Sequence, residues 1–392
     1  MEKKWLENFS IIIPISVAVF NIFLILHPTD VIAAAQEGLL LWFNHALPSL
    51  LPFVVGANLL AGLGFIHFMG VLTAPIMVPL FKVPGVGAFA LLTGFTSGYP
   101  MGAKAVANLR ETGQIRQDEA QRLMAFSNNA GPLFVVGFVG TGLFGSPRLG
   151  YVLLISHIVS AIIVGIAARF LLSQDTKYAH DIEERGLSSA FKRYRDFRRN
   201  YYKGFGQALG TSVKNSMESM LLIGGFIIFF CVVIKTLEIG GIFAILNLFY
   251  ERGNPLVSGF AAGLLEVANG ASIISRGGNP NPATLAATAA IISFGGFSVH
   301  GQTAYFIRNT DIKFAPYLAF KGLQAIISGF ICLLISYRFA ILVSASPALE
   351  RGFIRKMAEA GYEFAVLVGM MVTMAFCISF MISCGKNIKK NT

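Results

Sequence analysis

Charge is what this 392-residue chain has least of: 13% of its residues are Asp, Glu, Lys or Arg, against 55% hydrophobic ones. A soluble domain carries about a quarter charged residues, and a mean hydropathy of +0.66 moves the chain into lipid. Cysteine is scarce too. Cys231, Cys332, Cys377 and Cys384 stand singly in apolar runs, with no CxxC or CxxH spacing to hold zinc or a redox pair. Also missing are HExxH, GxSxG, GxxxxGK(S/T) and a GxGxxG following a strand. No enzyme, catalytic residue or metal site is therefore expected. A Ser97 and His300 pair would imitate an intramembrane serine protease, since hydroxyl and imidazole are the minimum for nucleophilic attack, but no activating motif flanks either.

The net charge of +11 does not signal nucleic acid, because the basic residues gather in one loop and at the termini rather than on a face of domain size. The start, MEKK before an apolar run from Ile11 to Leu26 and then Ala33-Ala34-Ala35, imitates a secretory signal with its cleavage site. The topology below needs this helix retained.

Apolar stretches of about 20 residues, enough to cross the hydrocarbon, lie near 9–27, 44–66, 148–172, 217–238, 314–337 and 364–384. Between them, 86–109, 119–145, 255–281 and 283–307 are apolar but crowded with Gly, Pro, Ser and Asn. Unwound backbone at membrane depth survives only against protein or a polar cavity, so these segments point to a binding site. Sliding the chain on itself by roughly 165 to 170 residues sets LTGFTSGYPMGAK (92–104) opposite AGLLEVANGASII (262–274), and FSNNAGP opposite ISFGGFS. Each half reads as spanning helix, re-entrant hairpin, broken helix, spanning helix. Three crossings per half make the second half inverted.

The expected fold is thus an all-α polytopic membrane protein with two inverted repeats. An N-terminal helix and interfacial segment would occupy 1–37, the first repeat 38–173, a basic loop 174–216, the second repeat 217–337, and an amphipathic segment with a last helix 338–392. Lys177, Arg185, Lys192, Arg193, Arg195, Arg198, Arg199, Lys203 and Lys214 put that loop in the cytoplasm, and Lys3, Lys4, Lys386, Lys389 and Lys390 put both termini there. Arg338, Arg351, Arg355 and Lys356 run against this scheme, unless Pro347 to Glu363 lies along the membrane surface.

Glu266, in LLEVANG at the expected tip of the second hairpin, is a carboxylate inside an apolar segment. Its burial costs about 2.5 to 3.5 kcal/mol or more, so either it faces a polar cavity as a proton or cation coupling site, or it bonds hairpin backbone. Lys104, beyond SGYPMGA, would suit an anionic solute, or else snorkels to the interface. Ser97, Gly98 and Tyr99 interrupt the first hairpin, and Ser127, Asn128 and Asn129 the helix after it. Asn269, Ser293, Gly296, Phe297, Ser298 and Gln302 are their counterparts in the second half, and His300 would relay a proton or hold the solute. Small hydroxyl and amide side chains beside Gly can bond a ligand; they can also simply let helices pack closely.

At SGYPMGAK, FSNNAGP and GFSVHGQT the chain resembles the nucleoside-recognition, or gate-domain, membrane proteins, over about 38–337. This resemblance implies kinship with concentrative nucleoside transporters and a place in the outer forespore membrane of an endospore former, moving dipicolinic acid. SGYP stands where the nucleoside carriers have a Gly-Gln-Thr-Glu type segment, which points away from nucleosides, while Glu266 aligns with the acidic residue that holds their ribose. The expected partners are the bilayer and a small anionic solute (dipicolinate) or a nucleoside, not nucleic acid, with a homo-oligomer compatible. A coupling proton or sodium ion is the only cofactor-like species implied. The rival reading is a non-transporting assembly protein of the spore envelope, docking through its basic loop.

Overall fold

The structure, a computed structural model, describes residues 2–172, 186–202, 204–242, 255–278 and 280–343, with 361, 362, 364–367 and 369. Among these residues all regular structure is helical. The first helices are α1 (Glu2–Leu26), α2 (Pro28–Leu41), α3 (Leu47–Gly62) and α4 (Phe65–Phe81), with a π-helical turn Trp42–Ala46 between α2 and α3. Then come α5 (Gly87–Ser97), α6 (Met101–Glu111), α7 (Gln117–Ser127), the π-wound α8 (Leu133–Leu143) and α9 (Pro147–Leu171). The remainder are α10 (Leu187–Tyr201), α11 (Phe205–Ile239), α12 (Pro255–Leu265), α13 (Val267–Ser275), α14 (Pro282–Phe294), α15 (Gly296–Ile307) and α16 (Phe314–Val343).

Among the described residues four helical stretches are long and apolar enough to cross a bilayer: 147–171, 205–239, 282–307, which is interrupted at Gly295, and 314–337. Two further pairs qualify together but bend sharply, by 102° between α1 and α2 and by 90° between α3 and α4. The chain is a multi-pass integral membrane protein. Its outward faces carry Ile15, Ile25, Tyr151, Phe170, Leu221, Phe229 and Phe330, all exposed and suited to lipid.

Packed helix pairs, α5–α6 and α12–α13, stand where the hairpins are expected, and the helices expected to be broken are interrupted at Asn128–Gly131 and Gly295. Local chemistry places each end. Asn281 accepts from the Thr284 amide at 2.9 Å and Pro282 occupies the first turn, which starts α14. Gly295, at φ +94, ends it in the left-handed conformation that a Cβ disfavours. Glu119, in the first turn of α7, accepts from the Arg116 amide at 2.8 Å.

Two expectations change, and a third lies outside the described residues. The run 44–66 is not one straight span, because Gly64 at φ +85 ends α3 and the chain turns into α4. The span expected over 217–238 begins at Phe205, inside the expected basic loop, which also contains the basic helix α10. The surface segment 347–363 and the last span 364–384 fall almost wholly outside the described residues, as do Lys177, Arg185 and Lys203.

Two cores flank the centre. One gathers Phe260, Leu264 and Ile274 of the second hairpin with Ile291 and Leu153. The other gathers Leu109 of the first hairpin with Leu123, Phe126, Val164 and Tyr317. Since lipid tails are as apolar as Leu, close packing rather than water exclusion holds these elements together. Gly270 shows how close: a Cβ there would lie 2.2 Å from Gly263 Cα, so α12 and α13 touch backbone to backbone.

Candidate functional site

The two hairpin tips, the first helix break and the first two turns of α15 meet at one cavity of about 420 Å³. Gly98 and Tyr99 enter from the first hairpin, Gly131 from the first break, Glu266 from the second hairpin, and Ser298 and Gln302 from the turn after the second break. Consequently α6, α8, α13 and α15 all begin beside it, and each presents the positive end of its dipole.

The wall is apolar with few polar groups, as small-molecule sites are. One side is a run of rings: His45 lies 4.7 Å from Phe138, Phe138 lies 5.5 Å from Phe134, and Phe134 lies 6.3 Å from Tyr99. The polar groups are underused. The Tyr99 hydroxyl and Gln302 Oε1 are enclosed without a hydrogen-bond partner among the described residues, although a buried polar atom normally has one. Glu266 is buried, and its Oε2 accepts from the Asn269 amide at 2.8 Å, capping α13. This joins the two readings of that residue: it bonds hairpin backbone and it lines the cavity.

Other expected site residues stand behind this wall. Asn269 donates its side-chain amide to Cys231 Sγ at 2.9 Å. Asn128 donates to Tyr317 Oη at 2.8 Å and Thr303 Oγ1 at 3.0 Å, and His300 Nδ1 lies 3.1 Å from the same phenol. Asn129 donates to the Phe126 carbonyl at 2.7 Å and accepts from Gln324 at 3.0 Å. Ser293 Oγ lies 2.8 Å from His157 Nδ1. Phe297 packs edge-on to His300, and Gly296, at φ +73, lets the backbone pass close to the Gly263 and Leu265 carbonyls. Ser97 and Ser127 are buried with hydroxyls that lack partners among the described residues. Lys104 does not line the cavity. It lines a separate pocket of about 220 Å³ and donates to Ser219 Oγ at 2.7 Å.

Asn44, His45, Phe134 and Phe138 line the cavity unforeseen, and His157, Tyr317, Lys321 and Gln324 complete the polar layer behind it. Lys321 had a readable signal, for an ammonium amid the apolar run 314–337 calls for the same explanation as Glu266.

A family model described as Gate, nucleoside recognition, matches residues 43–176, which hold α3 to α9 and so the first hairpin and first break. The sporulation integral membrane protein YlbJ of Bacillus subtilis (strain 168) is 31% identical over 403 aligned residues, covering 96% of this chain and 97% of the relative. The chain belongs to the YlbJ family. No solved structure matches it. For this YlbJ-family chain the coarse reading is a multi-pass membrane protein with a nucleoside-recognition gate region and a transporter-like arrangement of broken helices.

Proposed function

We propose that the chain is a secondary carrier for a small planar anion, acting in sporulation at the outer forespore membrane, with dipicolinate the first solute to test. The observation that carries this reading is the meeting of two hairpin tips, one helix break and the start of α15 on one cavity whose Tyr99 hydroxyl and Gln302 carbonyl oxygen have no partner among the described residues. Four helix N-termini supply positive potential, with no Lys or Arg lining the cavity among the described residues, and the ring wall suits a flat solute. Rigid motion of the hairpin parts against α9, α11, α14 and α16 would expose the cavity to either face, and two halves of inverted topology, as the sequence leads one to expect, would supply the two equivalent states. The basic helix α10 favours a cytoplasmic side for its loop. Glu266 and His300 are the groups proposed to couple a proton.

A nucleoside is the second reading, favoured by Glu266 at the wall, since a carboxylate accepts from sugar hydroxyls and repels a dianion. Labelled dipicolinate uptake into proteoliposomes, with and without a proton gradient and with excess uridine, separates the two. Uptake that ignores uridine and collapses in Glu266→Gln supports the carrier of an anion. Uptake blocked by uridine moves the substrate to nucleosides, and no uptake under any gradient by folded protein favours the assembly role.

A further inference from the structure

Behind the cavity, α16 carries a lysine that solute binding does not use. Lys321 is wholly buried, and among the described residues no carboxylate lies within ion-pairing range of it. Its Nζ donates instead to the main-chain carbonyl of Asn128, at 2.9 Å, and to Gln324 Oε1, at 2.6 Å. Asn128 is the first residue after α7, at φ −92 and ψ 93, so its carbonyl belongs to the unwound turn of the first broken helix. Gln324 is itself held by donating to Asn129 Oδ1 at 3.0 Å. The ammonium therefore sits at the negative end of α7, between the backbone carbonyl of the break and the side-chain amide of Gln324, which α16 itself supplies and Asn129 of the break holds.

In carriers built on broken helices, the carbonyls of the unwound turn and the C-terminal ends of half-helices are where a coupling cation binds. A primary ammonium satisfies such oxygens as a metal ion does, at longer distance, and it cannot leave. We propose that Lys321 is a resident cation of the first broken helix, filling the place a sodium ion would take, so that solute movement by this chain is independent of sodium. The inference rests on the carrier reading. If the amine is removed, the Asn128 carbonyl and Gln324 Oε1 are the oxygens left without its donation.

The test is thermal unfolding of the purified full chain in detergent, at equal ionic strength in sodium, potassium or choline chloride, for wild type and Lys321→Ala. A wild-type Tm that is the same in all three salts is expected. The variant is expected to lose several degrees in choline and to regain part of the loss with sodium or with ethylammonium, which restores the deleted amine. A wild-type Tm raised selectively by sodium overturns the proposal, and this arm does not need the variant to fold. A variant restored by neither sodium nor ethylammonium overturns it too. Because no solute is involved, failure here is distinct from failure of the carrier reading, which uptake tests alone.

Discussion

The imidazole of His157 joins the two breaks: the Ala130 amide donates to its Nε2 at 3.0 Å, and its Nδ1 lies 2.8 Å from the Ser293 hydroxyl. Since Nε2 accepts, the proton belongs on Nδ1, which donates to Ser293. One ring on α9 thus pins the unwound turn after α7 to the last turn of α14.

Replacing this ring with Leu leaves a buried amide and a buried hydroxyl unpaired, each costing about 1–3 kcal/mol. A clear fall in the Tm of His157→Leu is expected, with a smaller fall for His157→Gln, whose amide can still accept and donate. Scanning fluorimetry in detergent checks both.

The second hairpin depends on a close helix crossing. Gly270→Ala puts a Cβ 2.2 Å from Gly263 Cα, and overpacking of this kind costs about 1–3 kcal/mol or more. Gly225→Ala, where nothing lies within 4 Å of the added Cβ, is expected to be neutral or mildly stabilising. Equal behaviour of the two variants in thermal unfolding would contradict the backbone contact.

Tyr99→Phe separates binding from stability. Its hydroxyl has no partner among the described residues, so the folded protein loses no hydrogen bond and its Tm is expected to hold or rise. Solute affinity should fall by roughly fivefold to tenfold, the worth of about one hydrogen bond. The ratio of uptake KM values, read beside the Tm, measures this.

One ion pair gives a pH dependence outside the membrane. Arg110, at the end of α6, grips Asp311 in the α15–α16 connection through two bonds of 2.8 and 2.7 Å, which holds the Asp311 carboxyl below its ordinary value. A depressed carboxylate contributes stability above its unfolded value near about pH 4 and loses it as the pH falls through the folded one. With Asp311 about half exposed, at 51%, solvent screening leaves about 0.5 kcal/mol or less. Asp311→Asn should lower Tm slightly at neutral pH, and the gap from wild type should close in acid.

The hairpins and breaks were legible because SGYP, SNNAGP and the paired Gly295–Gly296 put helix-stopping and polar residues inside apolar runs, which lipid-facing helices avoid. Glu266 was legible as a charge without an obvious excuse. The partners of these segments were not. His157 and Gln324 are uncharged polar residues in otherwise regular spans, and only the packing of α9 and α16 against the breaks turns them inward, whereas the charge of Lys321 in such a span was itself a signal. Lys104 misled for a related reason. Its place in the chain is close to Tyr99, but one turn of α6 carries it to Ser219 on α11 and away from the cavity. The bend at Gly64 was present in the Gly62-Leu63-Gly64 triplet, yet the even hydropathy of 44–66 hid it.

The cavity as solute path is tested most directly by cysteine protection. Ser298→Cys, in a chain whose four native cysteines are replaced by Ala, would be exposed in proteoliposomes to a small charged thiol reagent, with dipicolinate or uridine present in turn. Labelling that is slowed by one of the two solutes, at a concentration that leaves an exposed control cysteine on α10 unaffected, is the predicted result. A thiol at 298 that never reacts, or that reacts at the same rate whichever solute is added, would contradict a solute path through this cavity.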